Sequence, residues 1–415
     1  MRSGCGPPMA SPTACRRPQR APDRQTGDGT MRIAIDIRRA GDFGIGTYLR
    51  NVINHLARQD RTNEYLLIGR PEHLAEFDPL PATFQLIDYR YSPASLHTHF
   101  HLPLVLQEQR ADLLHMPWFY APVWVPCPMV ITVHDLTDLL TLPDGTRLIQ
   151  TGRLFFARRA LEKARRIMTV SQAGRRELAR VFGIAETKIE VIYNALDERL
   201  VREPFPADAD RILERHAVHF PFLLYAGNIK PHKNLVRLIE AFAVVKAELG
   251  NHPELHQLKL LVIGDELAKH PDLRRAVVRS RVREDVRFMG FVPYQTLRVF
   301  YARARAFVFP SLYEGFGLPP LEAMAHGTPV VTSNISSLPE VVGDAAVLVN
   351  PENVFDIVRG IRLVLTDARL REELIRRGYQ QVQRYSWERS TERIRAVYQA
   401  ALGGSAEAPP AAAAS

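Results

Sequence analysis

Short, unbroken apolar runs recur along this chain, each followed by a longer stretch whose apolar positions return at helical spacing. Met31-Arg-Ile-Ala-Ile-Asp-Ile37 is the first run, and a glycine-bearing turn separates it from a helix that begins near Thr47. Further strands are expected at 65–68, 85–89, Leu113–Met116, Met129–Val133, 167–170 and 190–193, with helical periodicity over 154–164 and 173–181. A second series starts at Phe222, with strands Phe222–Ala226, Lys259–Ile263, 286–289, Ala306–Phe309, 329–332 and Ala346–Val349. Strand alternating with helix predicts parallel sheet, because parallel neighbours must be joined by a crossover. The polar, charged interval 198–218 reads as a linker. The expected fold class is α/β, with two doubly wound, Rossmann-like domains, 31–200 and 201–384, facing a central cleft.

One segment concentrates candidate chemistry: Phe309-Pro-Ser-Leu-Tyr-Glu314-Gly-Phe-Gly-Leu-Pro-Pro-Leu-Glu322-Ala-Met-Ala-His-Gly327. The run ending at Phe309 reads as a buried strand, so this loop leaves its carboxyl end, where open α/β sheets bind ligands. Pro319 and Pro320 suit the first turn of a helix, and Gly327 suits the position just past its end. Prolines carry no N–H, so an anion held here must use the amides of Phe316, Gly317 and Leu318. Gly315 and Gly317 let the backbone approach it closely, and the helix start adds partial positive charge. Glu322, one turn in, can accept two hydrogen bonds from a vicinal diol such as a ribose, while Glu314 would face a hexose. The pair of acids alone means little in a chain with 45 Asp and Glu; the strand, loop and helix around it carry the reading.

Lys230, His232 and Lys233 precede a helix that Asn234 would cap. Cations there oppose the helix dipole, at a few tenths of a kcal/mol each, which makes sense if a diphosphate docks among them. His134 ends the strand Met129–Val133 and points toward the crevice, with Asp135 beside it. Gly41, Gly44 and Gly46 form the first strand-to-helix turn, but Gly44-Ile-Gly-Thr-Tyr-Leu49 lacks the third glycine of a dinucleotide fingerprint, which disfavours an oxidoreductase. Two other signals are set aside. His97-x-His-x-His101 has no nearby acid or cysteine to complete a metal set, and Asp208-Ala-Asp210 falls in the linker rather than after an apolar strand.

Composition narrows the class. With 415 residues, 46% hydrophobic and 24% charged, the chain is a globular protein long enough for two domains. A formal charge of +9 favours anionic partners without naming one. Cys5, Cys15 and Cys127 offer neither a disulfide framework nor a zinc pattern, and a reducing cytoplasm is the expected setting. Residues 1–30, rich in Pro, Arg, Gly and Ser, read as an unstructured leader without an export signal, and the fold is expected to start at Met31. Residues 403–415 read as an unstructured Ala/Pro tail. No window approaches the ~20 apolar residues that a spanning helix needs. The stretch 147–180 holds ten Arg and Lys against two Glu, with Phe155 and Phe156 among them; a face resting on anionic lipid and an ordinary solvated helix pair both fit.

Glu314-Gly-Phe-Gly-Leu-Pro-Pro-Leu-Glu322 resembles the E-x7-E motif of retaining glycosyltransferase family 4, whose members have the two-domain GT-B fold. The resemblance spans roughly residues 31–402 and takes in Val133-His-Asp135, Val191-Ile-Tyr-Asn-Ala-Leu-Asp197 and Tyr225-Ala-Gly-Asn-Ile-Lys-Pro-His-Lys-Asn234. The lysine segment looks most like the branch containing mannosyltransferases of bacterial polysaccharide assembly. The resemblance implies transfer of a hexose, with GDP-mannose as first donor, from a nucleoside diphosphate sugar to a glycan or lipid-linked hydroxyl, without a metal or other cofactor. It implies donor contacts from Gly46, Lys233, the loop 314–318 and Glu322, with Lys230 or His232 as the second phosphate contact. His134 would touch the donor sugar near the reacting carbon, and Glu314 and Lys233 complete the catalytic set. A helix at 385–402 would cross back onto the first domain. A noncatalytic sugar-nucleotide-binding subunit and a nucleotide-sugar epimerase of the same architecture are the alternatives.

Overall fold

The computed structural model describes residues 30–42, 44–93, 95–140, 147–265 and 267–403. Two all-parallel sheets organise them. The first is built from β1 (Arg32–Asp36), β2 (Glu64–Gly69), β3 (Phe84–Asp88), β4 (Leu113–Met116), β5 (Met129–Val133), β6 (Arg166–Thr169) and β7 (Ile189–Val191), in the order β3-β2-β1-β4-β5-β6-β7. The second contains β8 (Phe222–Ala226), β9 (Lys259–Ile263), β10 (Val286–Gly290), β11 (Ala306–Phe309), β12 (Val330–Ser333) and β13 (Ala346–Val349), in the order β10-β9-β8-β11-β12-β13. Every strand read from the sequence is present, with ends moved by no more than two residues. The strands are legible because both faces of a parallel sheet are covered, so β1, β5, β8 and β11 are buried along their whole length.

Both sheets are doubly wound, and strand order reverses between β1 and β4 and between β8 and β11. Ligands of open α/β sheets bind outside the carboxyl ends of the strands at such reversals. The segments leaving both reversals line a single cleft of about 660 Å³ between the domains.

The interval 198–218 is not a plain linker. It holds helices Glu198–Arg202 and Ala209–Arg215, because Leu200, Ala209 and Ile212 are apolar and bury against the fold. Asp208 and Asp210 are surface residues engaged with Arg215 and Arg303, at 2.8 Å each.

Several contacts cross between the domains. The Glu340 carboxylate accepts the amides of Gln172 and Ala173, at 3.0 Å each, and so satisfies two free donors at the start of the helix Gln172–Phe182. The Tyr313 hydroxyl accepts the Leu136 amide at 3.1 Å and donates to Glu177. The last helix, Trp387–Ala401, packs on the first domain: its Trp387 indole donates to the Leu196 carbonyl at 2.8 Å, and Ile394, Val397 and Tyr398 join the core with Tyr48 and Ile53.

Candidate active site

β11 delivers the chain to the second sheet's reversal, and hydroxyl groups then fix the loop. Ser336 donates to the Glu314 carbonyl at 2.7 Å and accepts its amide at 3.1 Å. Ser337 donates to the carbonyls of Glu314 and Phe316, at 3.0 and 2.7 Å. The carbonyls of Glu314 and Phe316 are thereby occupied, while the amides of Gly315, Phe316, Gly317 and Leu318 have no protein partner among the described residues. Those four residues line the cleft. Gly317, at φ 115°, opens the helix Leu318–Ala325, with Pro319 and Pro320 in its first turn. A run of unoccupied amides at a helix start is a nest for an anion.

Gly315 brings the two domains together. A Cβ on it would lie 2.0 Å from the His134 carbonyl oxygen, and both residues line the cleft. His134 therefore sits against the front of the loop.

The turn after β8 is stapled to the same loop: the His232 carbonyl accepts the Leu312 amide at 2.7 Å and the Ser311 hydroxyl at 3.1 Å. Lys233 donates to Glu314 at 2.6 Å, with both side chains largely shielded (15% and 10% exposed). Lys230 is exposed, His232 is half-buried, and both line the cleft. Burial first, and then the charge of Lys233, lowers the His232 pKa from its ordinary value. Asn234 does not cap the following helix. It adopts a left-handed backbone (φ 63°), and its buried amide donates to the carbonyls of Pro310 and Pro351, at 2.9 and 2.7 Å. Satisfying two buried carbonyls outweighs the cap that its position in the sequence suggested.

Glu322 accepts the Tyr301 hydroxyl at 2.9 Å. Burial pushes its pKa up to about 7, opposed by the Tyr301 hydrogen bond and assisted by the charge of Asp197. The His134 pKa is lowered to about 4, chiefly by burial, so the ring is neutral at pH 7, and its buried Nε2 has no partner among the described residues. The ring packs edge-on to Tyr48, with centroids 4.7 Å apart. Behind it runs a buried chain that no local pattern announced: Tyr48 to Thr132 (3.1 Å), Thr132 to His115 (2.8 Å), and His115 to Tyr398 (2.7 Å).

Gly46 lies behind the cleft wall. Its amide bonds the Asp42 carbonyl, and a Cβ there would meet the Ala40 carbonyl oxygen at 2.2 Å, so packing of its own turn explains the glycine. Gly41, Gly44, Ile45 and Thr47 line the cleft instead. Sequence reading also missed Arg50, Asp197 and Arg199, an ion-pair cluster on the cleft wall with Arg50–Asp197 at 2.8 Å and Arg199–Asp197 at 2.9 Å. Asp197 closes a segment quoted above for its resemblance, which was the available signal. Ser336 and Ser337 could have been found as hydroxyl residues just beyond the strand that neighbours β11. Among the described residues, no group of three or more His, Cys, Asp or Glu is arranged to hold a metal ion; His97 and His101 pack on the Tyr91 ring and His99 on Phe156.

The raised pKa of Glu322 makes a prediction. Below about pH 7 the carboxyl is protonated and is a weaker acceptor for a diol, whereas above it both oxygens accept. Donor affinity should therefore rise as pH increases from 6 to 8, and Glu322→Gln should flatten that rise, as read by calorimetric titration across pH.

Residues 44–200 match the family model Glycosyltransferase Family 4, and residues 209–381 match Glycosyl transferases group 1. The O-antigen chain mannosyltransferase B of Escherichia coli is 33% identical over 294 residues, 69% of this chain and 74% of that protein. The serotype-specific mannosyltransferase WbdA of Escherichia coli is 33% identical over 265 residues, 63% of this chain and only 32% of that protein. Among solved structures, sucrose-phosphate synthase from Thermosynechococcus elongatus superposes with a TM-score of 0.71 at 21% identity, covering 90% of this chain and 99% of that one. Anabaena HepE, in complex with UDP and glucose, gives 0.68 at 17% identity, covering 89% and 100%. At these identities the structural likeness speaks for the fold alone.

Proposed function

The chain belongs to glycosyltransferase family 4, and on that premise we propose that it is a retaining hexosyltransferase using a nucleoside diphosphate sugar, with GDP-mannose the first candidate. Its acceptor is a hydroxyl of a glycan or lipid-linked glycan. The observation that carries this reading is the loop 315–318, whose four amides have no protein partner among the described residues; the loop adjoins Lys233 and Glu314, abuts His134 and lines a cleft of about 660 Å³. The O-antigen mannosyltransferases among its relatives favour mannose.

In this reading the diphosphate rests on the amides of Phe316, Gly317 and Leu318, and Lys233 stabilises the charge that grows on it as the bond to the sugar breaks. Lys230 is the better second cation, because the lowered pKa of His232 keeps that ring neutral. Glu322 holds the ribose, and Glu314 and neutral His134 orient the hexose. The bond from C1 to the phosphate oxygen breaks while the acceptor oxygen bonds C1 on the same face. The acceptor proton passes to the departing phosphate oxygen, so no side-chain base is needed. Ion pairing with Lys233 blunts Glu314 as a nucleophile, which favours this route over a covalent intermediate. Cations and amides suffice for the leaving group, and transfer proceeds without a metal ion in a cytoplasmic setting.

A thermal-shift panel of GDP-, UDP- and ADP-sugars tests the donor. A ligand at 100 times its Kd stabilises by about 2.7 kcal/mol, and GDP-mannose should give the largest rise. Labelled donor then separates the alternatives. Binding with neither transfer nor slow hydrolysis would mean a noncatalytic subunit, and a changed sugar nucleotide without acceptor would mean an epimerase.

A further inference from the structure

The helix Leu96–Glu108 is apolar on two opposite sides. Leu102, Val105 and Leu106 enter the core of the first domain, whereas Leu96, Phe100 and Leu104, spaced one helical turn apart, are 69%, 76% and 60% exposed. A surface helix ordinarily presents polar residues there. The neighbouring helix Arg147–Lys163 exposes Phe155 and Phe156, and the His99 ring lies 5.6 Å from Phe156, joining the two helices. Single exposed apolar residues need no explanation, but five large ones on two touching helices do.

The charge around the patch is cationic. Arg153, Arg158, Arg159 and Lys163 are exposed on the second helix, whose only acid is Glu162, shared by Arg158 and Arg159 at 2.9 and 3.3 Å. Glu108 is the one acid on the first helix. An apolar ridge bordered by arginines matches the interface of an anionic bilayer, which takes apolar side chains at the headgroup boundary and offers phosphates to cations. The first helix follows β3, and the second comes between β5 and β6, so both belong to the connections that leave the carboxyl edge of the first sheet, the edge that faces the cleft.

We propose that this two-helix face docks the protein on an anionic membrane, with Leu96, Phe100, Leu104, Phe155 and Phe156 in the headgroup layer and the arginines on lipid phosphates. The contact centres on the helix Leu96–Glu108, which the basic stretch 147–180 only borders. It deepens the reading of a lipid-linked acceptor, because it holds the cleft beside the surface where such an acceptor resides.

The test is co-sedimentation of the full chain with vesicles of phosphatidylcholine alone and with about one-third phosphatidylglycerol. Wild type should bind the anionic vesicles and leave the neutral ones. The triple variants Leu96→Ser/Phe100→Ser/Leu104→Ser and Arg153→Gln/Arg158→Gln/Arg159→Gln should each lower the partition coefficient by about tenfold or more. Both should keep the wild-type unfolding midpoint and donor-induced thermal shift, which shows that the fold and cleft are intact. Equal binding by wild type and variants, or none by wild type, would overturn the proposal. So would a concentration-dependent dimer dissolved by the leucine and phenylalanine substitutions, which would assign the face to a second copy. Membrane binding without any donor shift would instead sink the enzymatic reading and leave this one standing.

Discussion

Lys233→Ala is expected to lower kcat by about 10²–10³-fold with a much smaller change in donor KM, the range seen when one group stabilising transition-state charge is removed. Lys233 carries the ammonium that can follow charge onto the leaving diphosphate, and its tether to Glu314, at 2.6 Å, fixes it before substrate arrives. The variant also leaves the Glu314 carboxylate, 10% exposed, without its counter-ion beside the diphosphate site. An unpaired, shielded carboxylate is costly and repels phosphate. Part of the loss should therefore be recovered in Lys233→Ala/Glu314→Gln relative to what two independent losses would give. Steady-state kinetics on both singles and the double form the cycle that reads this coupling. Strict additivity would mean that the ion pair has no part in catalysis.

Gly315→Ala should reduce kcat/KM by about 100-fold, because the chemistry tolerates little displacement and an error of 1 Å can cost that much. The added methyl would fall 2.0 Å from the His134 carbonyl oxygen and 2.9 Å from its carbon, and both neighbours are backbone, which cannot rotate away. The loop must retreat from His134, or the domains must separate. Either moves the amides of 316–318 away from the histidine that faces them. The unfolding midpoint should change little, since the strands and cores of both domains lie elsewhere. Wild-type kinetics from this variant would mean that the close approach of loop and histidine has no catalytic purpose.

The fold was legible because fully buried parallel strands leave unbroken apolar runs such as Phe222–Ala226 and Ala306–Phe309, whatever packs on them. The residues at the cleft were legible for a related reason. A polar or glycine residue in the segment that follows a buried strand has few places to go except the sheet's carboxyl edge, and that locates His134, Lys233, Glu314 and Gly315. What failed depended on partners distant in sequence. Asn234 looked like a cap because its neighbours fit one, but its actual partners, Pro310 and Pro351, are 76 and 117 residues away. The support of His134 runs through His115 and Tyr398, which are 283 residues apart, and Arg50 pairs with Asp197 across 147. No local periodicity encodes such contacts. Gly46 is ambiguous in sequence because a glycine near a ligand loop and a glycine crowded by its own turn look alike. Only the carbonyl of Ala40 separates them.

A crystal structure of the chain soaked with a nucleoside diphosphate sugar tests the central claim most directly. The account predicts phosphate oxygens at ~2.7–3.2 Å from the amides of Phe316, Gly317 and Leu318, with the ribose hydroxyls on Glu322 and the hexose between Glu314 and His134. A donor seated elsewhere, or one whose diphosphate leaves those amides untouched, would contradict it.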